Sequence, residues 1–279
     1  MECRGCRRMK RLKVYLPFTA NTLKQQLAYK GAFYLFILIN LFGAFINYHL
    51  WMAIYGSSSQ AILGGLTQNE MVVYVFMSYV TSSLVMISIT SDIGYDIVQG
   101  TVAMNLIKPI DYRASLIAKA AGTMIYRFLV PGIFIWCGLE IYKVQVLGMA
   151  PATIVQICLY LLSCIMSFLI YVLFDFCFGM IAFFTTYIFG IQMVKQAIMA
   201  FLTGQLIPIS FFPETLQYIF NYLPFSSMVY TPVMIYLGKY SGEMLGFVLL
   251  RQAVWVVILY LTGSLVWKKV TKRLVILGG

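Results

Sequence analysis

The sequence predicts an all-α polytopic membrane protein with six transmembrane helices. Three observations predict it. The chain is 61% hydrophobic and 10% charged over 279 residues, with a mean hydropathy of +0.86, more apolar surface than a soluble core of that size takes up. Several apolar runs reach the ~20 residues that cross a bilayer, and lipid leaves an open strand edge without partners, so the spans are helices. Lysine and arginine, finally, concentrate in segments that an even number of spans places on one side of the membrane.

Residues 1–31 read as a basic tail followed by an interfacial amphipathic helix. Arg4, Arg7, Arg8, Lys10, Arg11, Lys13, Lys24 and Lys30 precede the first span. From Leu12 to Lys30 they interleave with Val14, Leu16, Phe18, Leu23, Leu27 and Tyr29, so a helix from about Thr19, after the break at Pro17, lies along the inner leaflet. A loose basic tail is the plainer alternative. The charged stretch is too long for a cleaved signal, and the apolar run after it has full spanning length.

The spans fall at about 32–55, 71–90, 114–140, 152–184, 190–207 and 245–267. Apolar character from Ile154 to Ile207 amounts to about 80 Å of helix at 1.5 Å per residue, so it folds back once. Thr185–Gln192 is where polar residues interrupt it, with Lys195 following. Ala114, Ala118 and Gly122 recur every four residues and invite a close helix contact, with the partner helix left open. Lys268, Lys269, Lys272 and Arg273 follow the last span, in a tail over 268–279, whereas the connections on the other side carry only Lys143 and Lys239. Both termini are therefore cytoplasmic, and the net charge of +11 reports topology rather than a nucleic-acid partner.

Chemistry of its own is not written in this chain. No GxxxxGK[ST] occurs, so ATP binding and hydrolysis belong elsewhere. Cys3 and Cys6 form one CxxC without a second pair, which favours reduced thiols over a zinc site. His49, the single histidine, sits among aromatics and reads as packing or interfacial hydrogen bonding. No metal or hydrolytic site is expected. Arg127 and Asp175 fall within spans and are candidate pathway charges; snorkelling of Arg127 and a border position for Asp175 are the structural alternatives. Arg251 is expected to pair with phosphate or Glu243.

Asp92–Arg113 is a polar island holding three of the nine acids, between long apolar runs. Its pattern is Asp96, then Gly100-Thr101, then Leu106, Lys108 and Pro109. Gly100 begins a short helix that Thr101 caps and Pro109 stops, with Val102, Met104, Leu106 and Ile107 as apolar knobs for another protein's socket. An ordinary interfacial loop is the alternative. A second cluster follows the fifth span: Pro208, Pro213, Pro224 and Pro232 are half of the chain's eight prolines, so broken helices are expected over 208–238.

On these residues the chain resembles the ATP-binding-cassette type-2 permeases, the membrane half of a class of exporters. Their second and third spans are joined by an acid-x-x-x-Gly-Thr…Leu…Pro stretch, matched from Asp96 to Pro109 with Asp where Glu is usual. Permeases whose island reads Gly-x-Val…Leu…Lys/Arg-Pro are similar. Gly204-Gln-Leu-Ile-Pro208, Phe212-Pro213, Leu223-Pro224-Phe225, Tyr230-Thr-Pro232 and Tyr236-Leu-Gly238 resemble the family's re-entrant segment before the last span.

The resemblance implies the type-2 exporter fold, an ATPase-coupling loop at Asp96–Pro109 and a re-entrant gate at Gly204 and the four prolines. It further implies separate ATPase subunits that bind ATP and Mg, and a second permease subunit, identical or related, in a plasma membrane, bacterial by family setting. No cofactor is expected in this chain. Relatives move drugs, lipids, polysaccharides and peptides, and no motif here chooses among them. The other readings are a non-transporting partner or sensor of such an ATPase, and an ion-coupled transporter, for which Asp175 is the one mid-span acid.

Overall fold

The computed structural model describes residues 13–28, 30–185 and 188–277; the basic cluster Arg4–Arg11 and the Cys3/Cys6 pair lie outside the described residues. α1 runs Leu16–Ala28. It starts three residues earlier than expected, because Pro17 occupies the first turn, where the N–H it lacks has no helical partner to lose. Phe18, Thr19, Thr22, Leu23 and Gln26 are half-buried along one face, while Leu16 and Leu27 point outward. That half-buried face lies on α6, Tyr112–Arg127. Thr19 Oγ1 donates to the Ala118 carbonyl at 2.9 Å, and a Cβ at Gly122 would stand 2.5 Å from the Thr19 carbonyl oxygen. The small-residue repeat on α6 thus has α1 as its partner.

α2 spans Lys30–Ser57 and leads through a two-stranded hairpin, β1 (Ile62–Leu63) and β2 (Leu66–Thr67), into α3, Gln68–Val85. Thr67 and Glu70 cap α3 reciprocally. The second span is not continuous to Thr90 as expected: helix stops at Val85, residues 86–89 are non-helical, and α4 resumes at Thr90–Val98. α5 covers Thr101–Ile107. α6 passes through one π turn, Phe128–Gly132, into α7, Ile133–Gln145. The wide turn contains Pro131 and accommodates its missing N–H without breaking the helix.

α8, Ile154–Gly179, ends in a 3₁₀ turn at Met180–Phe183, and α9 covers Phe189–Leu202. The chain reverses between them as predicted, with 186–187 outside the described residues. A 3₁₀ turn at Ile209–Phe211, α10 (Glu214–Tyr222) and α11 (Tyr230–Tyr236) precede the final helix α12, Gly242–Leu277. Among the described residues five helical stretches are long and apolar enough to cross a membrane: Ile37–Ser57, Gln68–Val98, Tyr112–Gln145, Ile154–Phe183 and Gly242–Thr271.

α9, expected as a span over 190–207, has 14 residues, about 21 Å at 1.5 Å per residue, against ~30 Å of hydrocarbon. Its first turn is held by Gln192, which exchanges hydrogen bonds with Ser91. Beyond its end the Gly204 carbonyl accepts from Tyr74 and the Leu206 carbonyl from Asn47 and Trp51. α9 and the non-helical 203–207 together therefore carry the chain from the break after α3 to the middle of α3.

α3 and α8 form the centre, with α2 packed on α3 and α12 packed on α8. α2 and α12 turn apolar side chains such as Leu38, Phe42, Phe247 and Leu261 outward, the arrangement of helices that face lipid or another membrane chain.

Candidate functional site

The island closes on itself through one carboxylate. Asp96 Oδ1 accepts from Thr101 Oγ1 at 2.8 Å, and Oδ2 accepts from Asn105 Nδ2 at 3.1 Å and from the Tyr112 hydroxyl at 2.8 Å. One acid thereby joins α4, α5 and the start of α6. Thr101 does not cap α5, contrary to expectation: its hydroxyl is drawn to the charged Asp96, the stronger acceptor. Gly100 holds the N-cap position in the left-handed region, at φ +69°, where a side chain would be strained. Val102 is buried and so no knob.

The outward apolar surface is made instead by Met104 and Ile107, joined by Tyr95 and Val98 from α4; Ile107 is 84% exposed. Leu106 lies in α5, its side chain outside the described residues. Lys108 is extended, donates to Asn105 Oδ1 at 2.8 Å and is exposed, as is Pro109; an extended residue before proline ends the helix there. Asp111 then caps α6 by accepting from Ala114 N.

Two successive residues tie this island to the last helix. The Tyr112 ring stacks on Trp267, centroids 5.3 Å apart. Arg113, buried, donates from Nη1 to the Tyr260 carbonyl at 3.0 Å and to Ser264 Oγ at 2.8 Å, with its guanidinium 4.0 Å from the Tyr260 ring centroid.

Beside the island, the break at 86–89 is held by Asp175 of α8. This carboxylate is fully buried; Oδ2 accepts from Ser88 Oγ, Ile89 N and Thr90 N at 2.9, 2.7 and 2.9 Å. Oδ1 pairs with Lys195 of α9. α4 has no capping side chain of its own, so a distant acid satisfies its first amides and suits the positive end of its dipole. Asp175 stands 21 residues into α8, about 32 Å along its axis from Ile154. Arg127 Nη1 donates to the Ser83 carbonyl in the last turn of α3 at 2.8 Å.

On the opposite side, the proline-rich segment is built in. Gly204 turns the chain at φ +80° under the Tyr74 hydroxyl. Pro208 precedes the 3₁₀ turn and Pro213 stands at the N-cap of α10, whose Tyr218 and Tyr222 are exposed. Pro224 lies in the following turn. α11, with Pro232 in its first turn, is buried throughout and packs on α3 and α8. Burial pushes the phenols of Tyr230 and Tyr240 above the ordinary tyrosine value, so both remain neutral hydroxyls. Arg251 does not pair with Glu243, the protein partner expected; it donates to the Asn221 carbonyl at 2.6 Å and to Thr231 Oγ1 at 3.1 Å, because the segment folds over it. Lys239 pairs with Glu70 at 2.7 Å. His49 packs edge-on to Phe45, 4.4 Å between centroids. No group able to hold a metal ion is present among the described residues.

Residues 38–278 match the profile described as ABC-2 family transporter protein. The chain belongs to that family. Among curated proteins none matches. An ABC-2 chain is the membrane-embedded component of an ABC transporter and associates with ATPase partners, as the resemblance of the island and the proline-rich segment implied.

Lys195 and Arg113 were legible in this ABC-2 chain's sequence as charges but not as site residues. Lys195 read as the residue following a turn, and Arg113 as the last residue of the polar island. The signal for each is an acid or hydroxyl some 20 to 150 positions away, which no local pattern reports. Glu140, reached by the Tyr236 hydroxyl of α11 and by Lys143 at 3.4 Å, escaped in the same way.

Proposed function

We propose that this chain is the permease subunit of an ABC exporter, and that the Asp96–Pro109 island receives the motion of a separate ATPase. The observation that carries this is the surface of Tyr95, Val98, Met104 and Ile107. Four large apolar side chains stand exposed on short helices at the side of the protein where basic residues gather. Apolar side chains exposed together on the aqueous side mark a contact with another protein. Asp96 makes that surface stiff, and Tyr112 and Arg113 pass its displacement to α12.

In this reading the island, α1 and the end of α12 face the cytoplasm, by the distribution of lysine and arginine. The setting is a plasma membrane, the bacterial cytoplasmic membrane by family resemblance. ATP and Mg²⁺ bind the ATPase, since this chain has no phosphate-binding loop of its own. A second permease subunit, identical or related, completes the path, and the outward apolar faces of α2 and α12 are available to it. Gly204, Pro208, Pro213, Pro224 and Pro232 shape the outer gate, and Arg127 and Asp175 brace the inner end of the spans.

The test is Ile107→Asp in a tagged full-length chain. Ile107 is exposed, so the fold should survive, while a co-purifying chain bearing GxxxxGK[ST] should be lost. An ATPase that still co-purifies in wild-type yield, with its hydrolysis still stimulated by the permease, overturns the assignment of this surface.

A further inference from the structure

α10 and the N-terminal half of α12 enclose a cleft that the coupling role does not use. Its volume is about 510 Å³, within the roughly 300–1,000 Å³ of small-molecule sites. Tyr218 and Tyr222 of α10 line one side, and Phe247, Val254 and Trp255 of α12 line the other. The aromatic rings are held in place by the protein itself. The Tyr218 hydroxyl donates to that of Tyr222 at 3.1 Å, with ring centroids 4.7 Å apart, and the Trp255 indole N–H donates to the Tyr222 carbonyl at 3.0 Å. Rings fixed in this way offer flat faces to a ligand without the cost of ordering them on binding.

Arg251 is the one charged residue that lines this cleft among the described residues. It is half-buried, and both of its hydrogen bonds go to neutral acceptors, the Asn221 carbonyl and Thr231 Oγ1. No carboxylate of the described residues pairs with it. Its Nε is buried without a hydrogen-bond partner among them. The cleft therefore contains a cation with no countercharge and a donor with no acceptor, and both deficits favour an anion.

We infer that this cleft binds an aromatic carboxylate, its ring system against Tyr218, Tyr222 and Trp255 and its carboxylate on Arg251. The two oxygens of a carboxylate match the planar fork of a guanidinium. A single cation calls for a single negative charge, which a carboxylate carries and a phosphate monoester exceeds. Aromatic walls favour a ring over an acyl chain, because ring–ring contacts add to what burial alone gives. The site goes beyond the permease reading and does not rest on it, since binding belongs to this chain alone.

Calorimetric titration of the full-length chain in a neutral detergent, against micelles alone, tests it with four probes: 2-naphthoate, 2-naphthalenemethanol, acetate and dihexanoyl phosphatidylglycerol. Naphthoate should bind, and its neutral alcohol should bind about tenfold more weakly, the scale of one charge-assisted contact. Arg251→Gln should weaken naphthoate by the same factor and leave the alcohol unchanged, which a merely structural role for Arg251 would not do. Val254→Trp, at an exposed position on the cleft wall, should abolish binding of both, and Leu265→Trp, exposed on the same helix outside the cleft, should change neither. Naphthoate and alcohol binding equally, or losing affinity together in Arg251→Gln, would overturn the carboxylate contact and leave Arg251 as a brace. Acetate binding as tightly as naphthoate, or phosphatidylglycerol binding more tightly, would overturn the aromatic half. No naphthoate binding beyond that of micelles, or binding indifferent to Val254→Trp, overturns the whole. Should Arg251→Gln fail to fold, the comparison of acid with alcohol on the unaltered chain decides the charge contact.

Discussion

A carboxylate with no solvent is held in place by its neighbours' charges and amides. Removing Asp175 from water costs several kcal/mol, and Lys195 together with the Ser88, Ile89 and Thr90 donors offsets it. The pair is therefore worth little against an apolar substitute, yet breaking one half is expensive. Lys195→Met should lower stability by about 3–5 kcal/mol, because Asp175 is left buried and uncompensated. Asp175→Asn with Lys195→Met should recover part of the loss, since a neutral amide oxygen still accepts from the first amides of α4. Thermal unfolding of the single and double variants in detergent measures this. Equal losses in both would show that the ion pair contributes nothing beyond the cap.

Helices meet where side chains are small enough to let backbones approach. At Gly122 the Thr19 carbonyl stands where a Cβ would need to be, so Gly122→Leu should push α1 off α6 rather than be absorbed. The expected readout is faster labelling of a cysteine placed at Thr22, which is half-buried against α6, with thermal stability falling by only about 1–3 kcal/mol, the usual cost of overpacking. Unchanged labelling would show that α1 is not seated on this stripe. The stripe itself was visible in the sequence as a four-residue repeat, and so were the long spans, because both are periodic over many turns. Elements of 7 to 14 residues were harder. α9 read as a full span because the apolar run continues past Leu202, although the chain there has left the helix to give the Gly204 and Leu206 carbonyls to α3 and α2. Thr101 looked like a cap because it follows a glycine, and only the fold shows Asp96 one turn back competing for its hydroxyl. The break at 86–89 has no proline or glycine to announce it; it is imposed by Asp175, an acid on another helix.

The molecule as a whole is crossed by one strut. Towards its C-terminal end α12 holds Tyr112 through Trp267 and Arg113 through Tyr260 and Ser264. Towards its N-terminal end Arg251 holds Asn221 and Thr231 of the proline-rich segment, and Gln252 reaches Ser163, Ser167 and the Ser227 carbonyl. Trp267 stands 16 positions after Arg251, about 24 Å along an uninterrupted helix. A rigid element anchored at both ends can carry a displacement between two sites without changing its own shape. Arg113→Met keeps an unbranched, apolar stem but removes both hydrogen bonds, so it should leave the exposed apolar surface of α5 intact. In the assembled complex the mutant should retain ATPase association while the ATP-dependent distance change between spin labels at Tyr218 and Glu70, measured by pulsed dipolar spectroscopy, shrinks severalfold. If that change persists at wild-type amplitude, motion reaches the proline-rich segment through α3 and α11 rather than through α12, since α11 also packs directly on α3.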